Sequence, residues 1–212
     1  DAEIVDQTLQ PMGYRLWDAI KFTVAERREV EDGDVIRTLL RHNVVTGATM
    51  AFRAQLRSFV LPVPEGVVHD AWIALLAAVA GQVRIISQPL ILYRQHGANQ
   101  IGVTKFSLAE RIQRSCEQRI SDARAVLRIY ESVPDRLKQL PTAGATPVLL
   151  DDFFRKAQHV RGRIKAILRE DGWLRSMAAE IVRGHYHRYS TGWWGVGNDF
   201  VKCRPSRLLV PD

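Results

Sequence analysis

Ala71 to Ala80 reads AWIALLAAVA, ten residues without a polar side chain on any face, and Gly81 follows directly. A helix that is apolar all round cannot lie on a surface and must be covered by other elements. The chain therefore needs structure on every side of this segment, and Gly81 marks where it stops. Before it, Leu61-Pro62-Val63-Pro64-Glu65-Gly66 carries two prolines and a glycine, which end regular structure. Further upstream, NVVTGATMAF from Asn43 to Phe52 is a β-branched apolar run around Gly47. It predicts a buried strand that bends or admits a close backbone neighbour. Downstream, VRIISQPLILYRQ from Val83 to Gln95 alternates and then turns apolar, predicting a strand with Pro89 at an edge or bulge. Strand, turn, helix, strand is the order of part of an α/β sheet.

After residue 104 the period becomes helical. Ser107-Leu108-Ala109-Glu110 has the form of a capping box, and Leu108, Ile112, Cys116, Ile120, Ala123, Leu127 and Tyr130 recur at steps of three and four. A loop is expected over 132–147, where Pro134, Gly144 and Pro147 fall. A second amphipathic helix is expected from Leu149 to Arg169, with Phe153, Ala157, Val160, Ile164 and Ile167 or Leu168 inward. A third runs from Trp173 to Arg183, and the glycine- and aromatic-rich remainder has no clear period. The fold expected is thus α/β over 1–104 with an α-helical extension over 105–212.

Charge divides the same way. Residues 1–104 hold 10 Lys and Arg against 11 Asp and Glu, whereas 105–212 hold 20 against 12, and the whole carries +7. A basic half suits nucleic acid, anionic lipid or a phosphorylated substrate, and charge alone does not choose. At 212 residues and 46% hydrophobic content the chain can bury a real core. It has no apolar run of membrane-spanning length, and its first residues do not resemble a signal peptide. Two cysteines far apart, Cys116 and Cys203, suggest neither a disulfide framework nor a zinc site of ordinary spacing. A cytoplasmic setting is expected. The start on Asp1 without an initiator Met, and the brevity of Ile4-Val5 as a strand, suggest a piece of a longer polypeptide.

His69-Asp70 stands between the proline-rich turn and the apolar helix, and Tyr93-Arg94-Gln95-His96-Gly97-Ala98-Asn99 follows the later strand. The helix dipole favours an anionic carboxylate in a first turn, where it can accept a proton. The blander reading is that Asp70 caps the helix. Arg94 and His96 follow a strand's end, where open α/β sheets place ligands. Arg94 offers bidentate donors to a diphosphate, and His96 a metal ligand or a donor to phosphate. An ion pair for Arg94 and a polar turn for His96 fit each residue as well.

NVVTGATMAF and LPVPEGVVHDAWIALLAAVAGQVRIISQPLILYRQHGANQIG together resemble the second half of the catalytic domain of family 2 glycosyltransferases, especially rhamnosyltransferase-like members acting on bacterial surface polysaccharides. DAEIVD resembles the segment after that family's metal-binding strand, and GHYHRYSTG with Asp199 its C-terminal tail. The resemblance implies a GT-A fold and inverting transfer of a sugar from a nucleotide-sugar donor to a saccharide or lipid-linked acceptor. It implies Asp70 as the base and a divalent metal, Mg²⁺ or Mn²⁺, held mainly by residues upstream, with His96 a candidate ligand. It also suggests that the donor-binding half is missing and that the chain alone is inactive. Thr46 and Gly47 would border the acceptor or sugar pocket, though packing explains the glycine nearly as well. Trp72 would stack on a sugar or fill the core; Asn99 ranks lower, and His69 shapes the site.

Asp32-Gly33-Asp34 is a literal D-x-D, but it follows the charged VAERREVE rather than an apolar strand, so a solvated turn before a helix over Val35–Leu40 is expected. A reading of another class is a non-catalytic helical module whose basic face, with Arg155, Lys156, Arg161, Arg163, Lys165 and Arg169, meets nucleic acid or an anionic membrane surface. No nucleic-acid motif accompanies that charge, so nucleic acid is not an expected partner. Trp193-Trp194 with the basic helices suit peripheral membrane contact, where a lipid-linked acceptor sits.

Overall fold

The computed structural model describes residues 1–95, 116–138 and 146–200. It is a mixed α/β structure, mostly helical, with a small sheet. Strands β1 (Ala2–Val5), β2 (Pro11–Arg15) and β3 (Ile91–Arg94) lie in the order β2-β1-β3. β1 runs antiparallel to β2 and parallel to β3, with Ala2 opposite Ile91 and Val5 opposite Arg94. Ile4-Val5 thus belongs to the central strand, which is four residues long. Asp6 shapes the hairpin after it: one carboxylate oxygen accepts from the amides of Thr8 and Gln10, each within 2.9 Å. Ala2 and Ile4 are buried beside Leu16, which opens α1 (Leu16–Ala19).

The strand expected over Asn43–Phe52 is absent, and the segment holds a 3₁₀ turn over Gly47–Thr49. The reason is local. Asn43 accepts from the Val45 N–H at 3.0 Å and donates to the Val45 carbonyl at 2.9 Å, so both groups Val45 would give a ladder are already bonded. Of Val83–Gln95 only Ile91–Arg94 is strand, matching the length of β1. Pro89 has no N–H to give, and upstream of it the chain is tied instead by the Asp1 ammonium donating to the Ile86 carbonyl at 2.8 Å.

The segment VAERREVE is helical, α2 (Val24–Glu31), closed by a capping box between Thr23 and Glu26. Asp32-Gly33-Asp34 is the turn into α3 (Val35–Arg41), as expected. After the short α4 (Arg57–Val60), the apolar helix α5 spans His69–Ala80, two residues earlier than its apolar run begins. α5 packs against α3 and α4.

α6 (Cys116–Leu137) continues through Pro134, so the loop expected from 132 is helix as far as 137. A proline inside a helix costs about 3 kcal/mol. Val133 and Leu137 are buried in the last turn, and each such side chain contributes about 1.5–3 kcal/mol. Arg136 adds hydrogen bonds to the carbonyls of Phe59, Leu61 and Pro62. Tertiary packing outweighs the missing bond. Ser107–Glu110, with the proposed capping box, lies outside the described residues, as does Cys203. α7 (Pro147–Leu168) begins with Pro147 in its first turn and the Thr146 hydroxyl accepting from the Leu149 amide. α8 (Trp173–Val182), α9 (His185–Tyr189) and α10 (Trp193–Phe200) follow. The last two occupy the stretch without a readable period, because helices of five and eight residues complete at most about two turns of 3.6 residues.

One hydrophobic cluster crosses position 104. Trp17, Phe22, Val60, Trp72, Leu75 and Leu76 join Ile129, Tyr130, Val133, Leu137, Phe153 and Tyr189 in it. The Tyr130 hydroxyl, buried there, donates to the Leu39 carbonyl at 3.1 Å. No helix among the described residues is long and apolar enough to cross a membrane.

Candidate functional site

Val68, not Asp70, is the N-cap residue of α5, and Asp70 sits in the first turn. Its side chain does not cap the helix but reaches the segment over 43–47. One carboxylate oxygen accepts from the Asn43 amide at 3.1 Å and the other from the Gly47 N–H at 3.2 Å. Asp70 is 6% exposed, while Asn43 and His69 on either side of it are exposed. A Cβ on Gly47 would stand 2.8 Å from His69 Nε2. The close neighbour that the glycine admits is therefore the imidazole of His69 rather than a backbone. The Thr46 carbonyl closes the turn by accepting from the Thr49 amide and hydroxyl.

Asp70, His69, Thr46, Gly47 and Asn43 are thus gathered at one point. Asn43 was not singled out by the sequence, although an Asn directly before a β-branched run is the residue that makes such a side-chain turn. Trp72 does not belong to the site: it is 0% exposed, its indole N–H donates to the Val60 carbonyl at 2.8 Å, and Arg136 lies over its ring. No ring face is left for a sugar. Arg94 is the last residue of β3, opposite Val5. His96 and Asn99 lie outside the described residues. Around Asp70 the donors are one carboxylate, one imidazole and amides. Among the described residues no group of three His, Cys, Asp or Glu side chains forms there, whereas Mg²⁺ takes several oxygen ligands.

The helix stripe expected to be a solvated basic face is largely engaged. Arg155 pairs with Asp151, Arg161 with Glu131, and Arg169 stacks on Trp173 at 3.7 Å. Lys156 is buried, donating to the Tyr189 carbonyl at 2.6 Å; burial, aided by Arg163, pushes its ammonium down to about 7. Arg163 makes two hydrogen bonds to Asp199, 2.7 and 3.1 Å, and the Tyr186 hydroxyl donates to the same fully buried carboxylate at 3.0 Å.

Next along the buried face of α7 is His159, 0% exposed. Its Nδ1 lies 2.6 Å from Glu180 Oε2, and His185 Nδ1 lies 3.0 Å from the same oxygen. Burial pushes His159 down to about 4 despite that carboxylate. Burial alone would raise Glu180, but the two imidazoles outweigh it and hold it below the usual range. The pair is therefore a neutral imidazole on an ionised carboxylate, with His159 Nε2 buried and unpartnered.

No family model matches the chain, and neither a curated protein nor a solved structure matches it.

Proposed function

We propose that the chain is the acceptor-side part of an inverting, family 2-like glycosyltransferase of GT-A type, with Asp70 as its general base. The observation that carries the reading is the meeting of two segments at one carboxylate: the Asn43–Phe52 segment and His69-Asp70, both parts of the resemblance, are joined through the Asn43 amide and the Gly47 N–H. Asn43 is exposed and its amide occupies one Asp70 oxygen. An acceptor hydroxyl that takes the place of that amide hands its proton to Asp70 as its oxygen attacks the anomeric carbon. The bond from that carbon to the diphosphate oxygen breaks as the new bond forms, and the nucleoside diphosphate leaves with that electron pair. His69 and Thr46 border the place where the acceptor would lie. The donor is a nucleotide-sugar, held chiefly by residues other than these, and the acceptor is a saccharide or lipid-linked sugar.

The test uses the full-length protein with nucleotide-sugars and saccharide acceptors, reading the anomeric configuration of the product by NMR. An inverted product that disappears in Asp70→Asn, while donor binding persists, supports the reading; transfer unchanged in Asp70→Asn removes it.

A membrane-surface acceptor is favoured by one observation: Trp193, 67% exposed, and Trp194 stand together on α10. Exposed tryptophans suit the headgroup region. Co-sedimentation with anionic liposomes should fall at least severalfold in Trp193→Ser/Trp194→Ser; equal sedimentation of both proteins contradicts a membrane role for α10.

A further inference from the structure

We propose that His159, Glu180 and His185 form a binding site for one divalent transition-metal ion of the zinc type. The site stands apart from Asp70 and does not depend on the transferase reading. Its three donor atoms, one from each side chain, lie within 4.8 Å of one another. Two imidazoles and one carboxylate are a ligand set that Zn²⁺ takes, with a fourth position left for water or another small ligand, whereas Mg²⁺ and Ca²⁺ prefer all-oxygen sets.

The ligands are fixed from three places. His159 projects from the middle of α7, Glu180 from the last turn of α8, and His185 is the first residue of α9. Gly184 between the last two has φ +71°, a left-handed conformation that glycine adopts without strain, and the turn brings His185 back onto Glu180. The separations of 2.6 and 3.0 Å to Glu180 are shorter than the roughly 3.4 Å expected between tetrahedral ligands about 2.1 Å from zinc. To reach that spacing the two contacts to Glu180 lengthen by about 0.8 and 0.4 Å.

The second observation is the orphaned His159 Nε2. While Nδ1 donates to Glu180, Nε2 holds a lone pair that is buried and meets no hydrogen-bond partner. When Nδ1 gives its own lone pair to a cation, the hydrogen moves to Nε2. The Tyr186 ring stands perpendicular to the imidazole at 4.8 Å, an arrangement in which a ring face can receive an N–H. The neighbouring positive groups are both engaged, Arg163 by Asp199 and Lys156 by the Tyr189 carbonyl. His159 closes the inner end of the cluster, and Glu180 and His185 side chains retain 10% and 12% exposure, which gives an ion its way in.

The test titrates ZnCl₂ alone into the chelator-treated protein, by calorimetry and equilibrium dialysis. The expected result is one Zn²⁺ per chain, a melting temperature that rises with Zn²⁺, and no response to Mg²⁺. Glu180→Gln, nearly isosteric, and His185→Ala, at the exposed side, should each lower affinity more than about 100-fold. That exceeds the roughly 10–100-fold cost of losing a group that only orients a ligand. His187→Ala, whose ring packs on Trp193 instead, should leave affinity within twofold. Co²⁺ should give the strong visible absorption of a tetrahedral site, lost in Glu180→Gln. Absence of stoichiometric Zn²⁺ at micromolar concentration, or equal binding by Glu180→Gln and wild type, overturns the proposal.

Discussion

Lys156 and Asp70 are both buried ionisable side chains on helices, but their surroundings differ. Asp70 meets two donors at the rim of the fold, next to an exposed Asn, whereas Lys156 donates to the Tyr189 carbonyl and has the Tyr130 ring 5.5 Å away. The folded chain holds Lys156 neutral above about pH 7, while the unfolded chain keeps it protonated up to about 10.5. Between those values the unfolded state binds more protons, so this residue makes stability rise with pH, by up to about 1.4 kcal/mol per pH unit. Urea melts at pH 7, 8 and 9 should show that rise in wild type and a flatter profile in Lys156→Met, which should also be the more stable protein at pH 7. Identical profiles would contradict the buried lysine. Neither this lysine nor His159 was legible as buried. A helix rich in Arg and Lys reads as a solvated face, and the groups that engage them, the Tyr189 carbonyl and Glu180, lie 33 and 21 residues away in sequence. Trp72 was legible only as a choice between core and sugar platform, and the Val60 carbonyl decides it.

Long helices were the most legible elements. The unbroken apolar run at 71–80, closed by Gly81, and the stripe from Phe153 to Ile167, which repeats its period several times, placed α5 and α7 to within two residues. Four-residue strands offer no such repetition. The run at 43–52 has strand composition, yet Asn43 supplies the hydrogen bonds of Val45 and Asp70 takes that of Gly47, so three backbone groups a ladder would use at its centre are already bonded. The tail over 185–200 became helical through long-range contacts: Asp199 on α10 binds Arg163 on α7 and Tyr186 on α9, and Arg119 on α6 lies 4.0 Å from it. Removing one partner of a buried charge network leaves the rest unpaired, at about 3–5 kcal/mol. Asp199→Ala should lose that much in chemical denaturation, and a loss below about 1 kcal/mol would show that α10 is not held by this carboxylate.

At the scale of the whole chain, the change in charge and period at residue 104 was readable, but the continuity of packing across it was not. Composition divides the halves, while Tyr130, Val133, Leu137 and Phe153 from the basic half complete the cluster around Trp72 and α5. A chain ending at residue 104 should therefore fail to unfold cooperatively in urea; a sharp two-state transition would make the first half an independent domain. The same packing holds α5 in place, and with it Asp70 against Asn43 and Gly47. The central claim is that this carboxylate takes the acceptor proton. Its most direct measurement is kcat/KM for sugar transfer by the full-length protein carrying Asp70→Asn, with donor affinity measured alongside. A general base contributes about 10²–10⁴-fold, so a fall of that size with donor affinity within twofold is predicted. A kcat/KM within threefold of wild type would contradict it.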